Sequence, residues 1–354
     1  MKSIAIFQCD LRVGGIQKAL VNILNEIDYD KCEVDLFLFD DKCFFDLPEH
    51  RNLNVYFLKP YFWLNRLVYF EILRRFAKLP LPDKEYDVAI DFNSYRNECS
   101  VAAVTVRAKK RVMWIHNDIE IKLKNEVKYR ILWHFFNKKL RYFDEFCAVS
   151  PGIVDGFRRV TGITDKKITP IPNHVDSGEI FRKAAIPLEG FDTDRGCYNL
   201  CSVGRLCHQK GYDILLDMLA EVKKRRGDLR FYLIGDGPDR EKLEKQIERL
   251  GLGGMVTLLG NQHNPFNYMD KMDGFVLTSR YEGQGIVILE AKALGLELFI
   301  SENLQKYNPG IPATEDIVAA LSAASRREKQ RDDLSEYNAE IGRRLAAVLG
   351  TDKD

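Results

Sequence analysis

A chain of 354 residues is long enough for two domains of ordinary size. Apolar content of 45% and charged content of 30% describe a globular chain, and a net charge of +1 gives no global argument for nucleic acid, so none is expected as a partner. The charge is uneven, with 28 Lys and Arg against 23 Asp and Glu in residues 1–175 and 25 against 29 thereafter, so an anionic surface is expected to meet one half only.

The apolar run 3–9 reads as a first strand. It is too short for a signal peptide, and no run nears the ~20 residues of a membrane span. Gly14 and Gly15 follow and open a helical pattern over 16–24. Two adjacent glycines let backbone approach a ligand with no Cβ in the way; a tight turn would use them too. Their spacing is not the G-x-G-x-x-G dinucleotide fingerprint. Further strands are predicted at 33–39, 54–58, 87–92, 111–115, 146–150 and 168–171, with helical stretches between most of them. That alternation implies a parallel sheet covered on both faces, with ligands at the carboxyl ends of its strands. His116 ends the strand Trp114-Ile115 and so stands at such an end, although a lone His is usually structural. His174 reads as a linker residue.

Two stretches of this half are rich in aromatics and cations. One runs from Lys59 to Lys78 and includes Trp63, Arg66, Arg74 and Arg75; the other spans 122–142. Either suits an interfacial helix on an anionic membrane, or a helix packed on the sheet with a solvated basic edge. The eight cysteines show no metal spacing. Cys9, Cys147 and Cys201 sit in apolar runs and read as buried thiols, which fits a reducing cytoplasm.

A polar linker at 187–198 precedes a strand that ends in Gly204-Arg205. Lys210-Gly211 then starts a helix to about 226. Two fixed cations on one strand-to-helix loop can neutralise a diphosphate without a metal; singly they would be solvated surface charges. Strands at 231–234 and 256–259 follow, the second leading into Asn261. The apolar run 274–278 reads as a buried strand, then Glu282-Gly283-Gln284-Gly285 as a loop, then 286–294 as a helix that stops at Gly295. Such a junction aims backbone N–H groups and a positive helix end at one spot, which suits an anion. Glu282 and Glu290 are eight residues apart, a net rotation of about 80° on a helix, so both carboxylates can face one pocket. Carboxylates repel phosphate, so they are expected to grip sugar and ribose hydroxyls. The bland alternative is a surface Glu and a helix-capping Glu. A last strand is predicted at 298–301 and a closing helix at 335–349.

Glu282-x7-Glu290 with its flanking glycines, Gly204-Arg205 followed by Lys210-Gly211, the pair Gly14-Gly15, His116, Ser150, and Pro172-Asn173 before Asp176 together resemble the retaining glycosyltransferases of family 4. The resemblance covers the chain to about residue 301. It implies an α/β protein of GT-B fold, two Rossmann-like parallel-sheet domains facing each other across a cleft. The domains would be 1–175, on the acceptor side, and 176–334, binding the nucleotide sugar, with a helix at 335–354 returning to the first. It implies transfer of a hexosyl unit from a nucleotide-diphosphate sugar, UDP foremost, to a glycan or lipid-linked acceptor in cell-surface polysaccharide synthesis. By the same resemblance, Arg205 and Lys210 hold the diphosphate beside Gly204 and the amides of Gly283, Gln284 and Gly285. Glu290 holds the ribose, Glu282 the sugar ring, and Asn261 lies by the nucleobase. Gly14 and Gly15 lie against the donor phosphates, and His116 hydrogen-bonds the transferred sugar. The catalytic set is then His116, Glu282, Arg205 and Lys210. No metal or other cofactor is expected, and no residue declares itself a covalent nucleophile. The enzyme would be cytoplasmic, peripheral on the inner face of the membrane. Gln284 stands where the family has an aromatic, and 302–310 replaces a Gly-rich turn, which leaves the donor sugar open. Two rivals remain at this stage: a GT-B sugar-nucleotide epimerase, and a non-catalytic module that binds nucleotide sugars.

Overall fold

A computed structural model describes residues 1–58, 69–76 and 78–352. Residues 59–68 and 77 of the first aromatic and basic stretch lie outside the described residues. The chain divides into two units, Met1–His174 with Glu336–Asp354, and Val175–Ser335.

The first unit is built on seven strands: β1 (Lys2–Gln8), β2 (Cys32–Leu38), β3 (Leu53–Phe57), β4 (Glu85–Asp91), β5 (Arg107–Ile115), β6 (Glu145–Ala148) and β7 (Lys167–Pro170). They lie in the order β3-β2-β1-β4-β5-β6-β7, every pair parallel. Ile4 and Ile6 of β1 stand beside Val34 and Leu36 on one side and Val88 and Ile90 on the other. All six residues are buried, because helices cover both faces. The predicted strands recur within a residue or two, except that β5 starts at Arg107, four residues early. Its first half pairs with Glu85 and Tyr86 of β4 while carrying Arg107, Lys109 and Lys110, so no apolar run betrays it. The closing helix, Ser335–Leu349, buries Ile341, Leu345, Val348 and Leu349. Its Arg344 donates to the Pro170 carbonyl at 3.0 Å, and Tyr337 to that of Asn173 at 3.0 Å.

The second unit has five parallel strands: β8 (Tyr198–Val203), β9 (Leu229–Ile234), β10 (Val256–Gly260), β11 (Gly274–Leu277) and β12 (Glu297–Ile300). Their order is β10-β9-β8-β11-β12. The helix Tyr212–Arg225 turns Leu215, Leu216, Leu219 and Val222 into a core with Leu200, Phe231, Leu233 and Val276. The helix Ile286–Ala293 ends in a Schellman motif. Gly295 takes φ +73°, its N–H bonds the Lys292 carbonyl, and the Leu296 N–H bonds that of Ala291.

In each sheet the chain reverses its direction of travel once, at β1/β4 and at β8/β11. Crossovers leave those neighbours on opposite sides, opening a crevice at their carboxyl ends where ligands of such folds sit.

Candidate functional site

At the β8/β11 crevice, Gly204 and Arg205 follow β8, and the loop 278–285 follows β11. Lys210 and Glu282, 72 residues apart, meet here: Nζ donates to Oε1 at 2.7 Å. Their side chains are only 18% and 8% exposed, so this is a largely desolvated ion pair. Burial opposes the Lys210 charge, but the Glu282 carboxylate outweighs it and holds the ammonium above its ordinary range. Gly204 seats the lysine stem: a Cβ there would lie 3.2 Å from Lys210 Cε and 2.9 Å from the buried Tyr212 hydroxyl. Gly211 has φ +66°, and a Cβ on it would strike the Thr278 carbonyl at 2.3 Å, so the two loops touch backbone to backbone. Arg205 is exposed and has no ion-pair partner among the described residues.

Further bonds join these loops. The Arg280 N–H donates to the Gln209 carbonyl at 2.8 Å, and Gln209 Nε2 to that of Tyr281 at 3.1 Å. Arg280 grips Asp213 with both ends of its guanidinium, at 2.8 and 2.7 Å. Sequence reasoning missed this pair. Asp213 lies three residues past Lys210 and Arg280 two before Glu282, but nothing local says that the two meet.

Gly283, Gln284 and Gly285 lead into the helix Ile286–Ala293, whose N-cap residue is Gly285. Glu290 sits half-buried on its second turn. The rotation argued from sequence does not relate the two glutamates. Glu282 precedes the helix by four residues in non-helical backbone, so only the part from Ile286 onward follows helical geometry. Asn261 is exposed just past β10, at the edge of the sheet and two strands from β8.

In the first unit, Gly14 is the N-cap and Gly15 the first residue of the helix Gly15–Glu26. A Cβ on Gly15 would meet nothing within 4 Å, so this backbone is open. Across the switch point, past β5, His116 is buried. Its Nε2 donates to the Phe92 carbonyl at 2.8 Å, and since a carbonyl only accepts, Nδ1 is left as an acceptor. Burial pushes the imidazole down to about 3, against the pull of that carbonyl, so it is neutral at physiological pH. Burial likewise pushes Asp91, at the end of β4, up to about 6, although Lys139, Ser100 and the Asn93 N–H favour its charge. Sequence reasoning missed Asp91, an acidic residue ending an apolar run. His174 is a buried clasp closing this unit, with Nε2 2.8 Å from Glu26 and its carbonyl bonded by Asn22. Among the described residues no group of three or more His, Cys, Asp or Glu is placed to hold a metal ion.

Two family models match, one in each half. "Glycosyltransferase Family 4" covers residues 13–179, and "Glycosyl transferases group 1" residues 193–305, which holds Gly204, Arg205, Lys210, Glu282 and Glu290. The chain is a glycosyltransferase of the family 4 kind. This glycosyltransferase is 26% identical over 304 residues to the N-acetylgalactosamine-N,N'-diacetylbacillosaminyl-diphospho-undecaprenol 4-alpha-N-acetylgalactosaminyltransferase of Campylobacter jejuni, across 83% of this chain and 79% of that one. HepE of Anabaena, crystallised with UDP and glucose, matches it with a TM-score of 0.66 at 17% identity, over 100% of this chain and 96% of the other. A mutant of TarM from S. aureus, bound to Fondaparinux, alpha-GlcNAc-glycerol and UDP, gives 0.64 at 13% identity, over 99% and 97%. At such identities the structural likeness speaks to fold alone, and the fold is GT-B.

Proposed function

We propose that this glycosyltransferase moves a hexosyl unit, with retention of anomeric configuration, from a nucleotide-diphosphate sugar to a glycan or lipid-linked acceptor in cell-surface polysaccharide synthesis. UDP is the proposed nucleotide, since the HepE and TarM complexes hold it. The lipid-linked acceptor is suggested by the diphospho-undecaprenol in the name of the Campylobacter relative. One observation carries the proposal: the Lys210–Glu282 pair, beside the exposed Arg205 and the start of the helix Ile286–Ala293, at the switch point of the second sheet.

Lys210 spends one of its three N–H donors on Glu282 and keeps two for phosphate oxygens. As the bond to the sugar breaks, charge grows on the departing diphosphate, and the fixed Lys210 and Arg205 cations stabilise it there. These cations take the part a metal would play, so the reaction is proposed to run without one. Glu282 turns its free oxygen to a hydroxyl of the transferred sugar, and Glu290 takes the ribose. Asn261, two strands from β8 and so about 10 Å across the sheet, suits the nucleobase end of an extended donor. His116, neutral with Nδ1 open as an acceptor, holds a sugar hydroxyl and cannot serve as a general acid at pH 7. The acceptor oxygen bonds the anomeric carbon on the face the diphosphate departs from and passes its proton to that diphosphate, so the configuration is unchanged.

We also place the enzyme in the cytoplasm, docked on anionic lipid. The helix Phe70–Phe76 exposes Ile72 and Phe76 among Arg74 and Arg75, and Val127–Phe136 exposes Val127 and Ile131 among Lys128 and Arg130. Arg141 and Tyr142, just past the second helix, bond Glu71, and the Tyr69 ring lies 4.9 Å from that of Phe135, so the two segments adjoin. Apolar side chains interleaved with cations suit a headgroup layer. Among the described residues no helix is long and apolar enough to cross a membrane.

The test is incubation with UDP-sugars of known anomer and a polyprenyl-diphosphate-linked glycan, followed by proton NMR. UDP release with a product of the donor's configuration is expected. An inverted product refutes retention, an epimer formed without acceptor refutes transfer, and binding without turnover over a broad acceptor panel refutes catalysis.

A further inference from the structure

We propose that Arg280 and Asp213 are positioning residues of the donor site, an ionic clasp that sets the spacing between the loop bearing Lys210 and the loop bearing Glu282. The proposal rests on the reading of that site as the seat of the diphosphate.

Arg280 is a third cation on these two loops, and its hydrogen bonds commit it to the loop that bears Lys210. Nη1 donates to Asp213 Oδ1 at 2.8 Å and Nη2 to Oδ2 at 2.7 Å, two parallel bonds in the fork that suits a guanidinium and a carboxylate. Nη1 also donates to the His208 carbonyl at 2.7 Å. The guanidinium is thus committed to the 208–213 segment on two sides. Asp213 in turn occupies the first turn of the helix Tyr212–Arg225, where a carboxylate meets the positive end of the helix. Both side chains are about three-quarters covered, at 23% and 27% exposure, so water competes weakly for either.

Behind the clasp the backbone is held as well. Asn303 Nδ2 donates to the carbonyls of Ser279 and Arg280, at 2.9 and 3.0 Å, from the segment after β12. Thr278 Oγ1 bonds the Gly211 carbonyl at 3.1 Å. The segment 278–281 is therefore fastened on one side to the Lys210 loop and on the other to Asn303. The Lys210–Glu282 distance follows from these bonds and not only from its own attraction. Without the clasp the groups that touch the donor are all still present, but they are no longer held at one separation. The expected defect is then weak donor binding, with a smaller loss in the bound complex.

The experiment compares wild type, Arg280→Ala, Arg280→Lys and Asp213→Asn, using UDP titration by calorimetry and donor kinetics at saturating acceptor. Ligand-free melting curves show which variants fold, and Arg280→Lys, which keeps the charge but not the fork, serves if Arg280→Ala does not. Dissociation constants for UDP and KM for the donor are expected to rise about tenfold or more, with kcat falling less, and with Arg280→Lys between wild type and Arg280→Ala. In a Glu282→Gln background Arg280→Ala should add little, because it acts through the residue already altered. Unchanged UDP affinity and donor KM in folded variants overturn the clasp while leaving the diphosphate reading intact. A full additive loss in the Glu282→Gln background also overturns it. Failure of wild type to bind UDP or any nucleotide diphosphate takes down both.

Discussion

Replacing Lys210 by Met separates what the lysine does for the fold from what it does for the reaction. Methionine keeps most of the apolar stem that lies over Gly204 and removes the ammonium 2.7 Å from Glu282. The Glu282 side chain, 8% exposed, is then a buried charge without its partner. Orphaning such a charge costs about 3 kcal/mol, less whatever is recovered when the carboxylate takes up a proton. Adding Glu282→Gln removes the orphan, so the double variant is expected to regain most of that stability. Turnover behaves differently. Losing a donor aimed at developing phosphate charge costs about 2.7 kcal/mol or more, a factor of ~100, and glutamine does not restore it. Urea unfolding gives the first quantity and initial rates of UDP release the second. A double variant that turns over within about tenfold of wild type would refute the role given to Lys210.

Three further outcomes are expected. His116 is held neutral by burial, its value near 3 lying below the ordinary 6.5, so the unfolded chain takes up its proton first as pH falls. Its contribution to stability is complete above pH 6.5 and is lost toward pH 3, by roughly 5 kcal/mol at most; the stability gap between wild type and His116→Asn, followed by unfolding at several pH values, should narrow over that range. Activity should survive EDTA, and full loss reversed by manganese would contradict the metal-free proposal. Sedimentation with vesicles of anionic lipid should fall when Ile72, Phe76 and Ile131 are changed to Ser together, and equal binding to neutral vesicles would count against a charge-assisted surface.

Much of this molecule can be read from its residues because both sheets are covered on two faces. β1, β2, β9 and β11 each carry a buried apolar run, at 4–7, 36–38, 231–234 and 275–277, and that run marks the strand. β5 is the exception, since Arg107 and Lys109 are exposed along its first half and Lys110 is half-buried, its ammonium bonded to the Val348 carbonyl, so no apolar run marks the strand. The glycines and charges of the donor loop were legible as types at fixed spacings. Their partners were not. The pairing of Lys210 with Glu282 depends on β8 lying next to β11, a tertiary fact separated by 72 residues. The Arg280–Asp213 clasp depends on the same adjacency and has no local signature. The helical rotation linking Glu282 to Glu290 failed for a related reason: glycines at 283 and 285 keep the first four residues out of the helix. The neutrality of His116 is set by how completely the fold covers it, which strand position alone does not give.

A crystal structure of the enzyme with UDP bound addresses the central point without relying on turnover. The β-phosphate is expected within hydrogen-bonding distance of Lys210 Nζ and the amides of residues 283–285, with the ribose against Glu290. A nucleotide seated elsewhere, or a diphosphate that leaves Lys210 and Arg205 untouched, would contradict it.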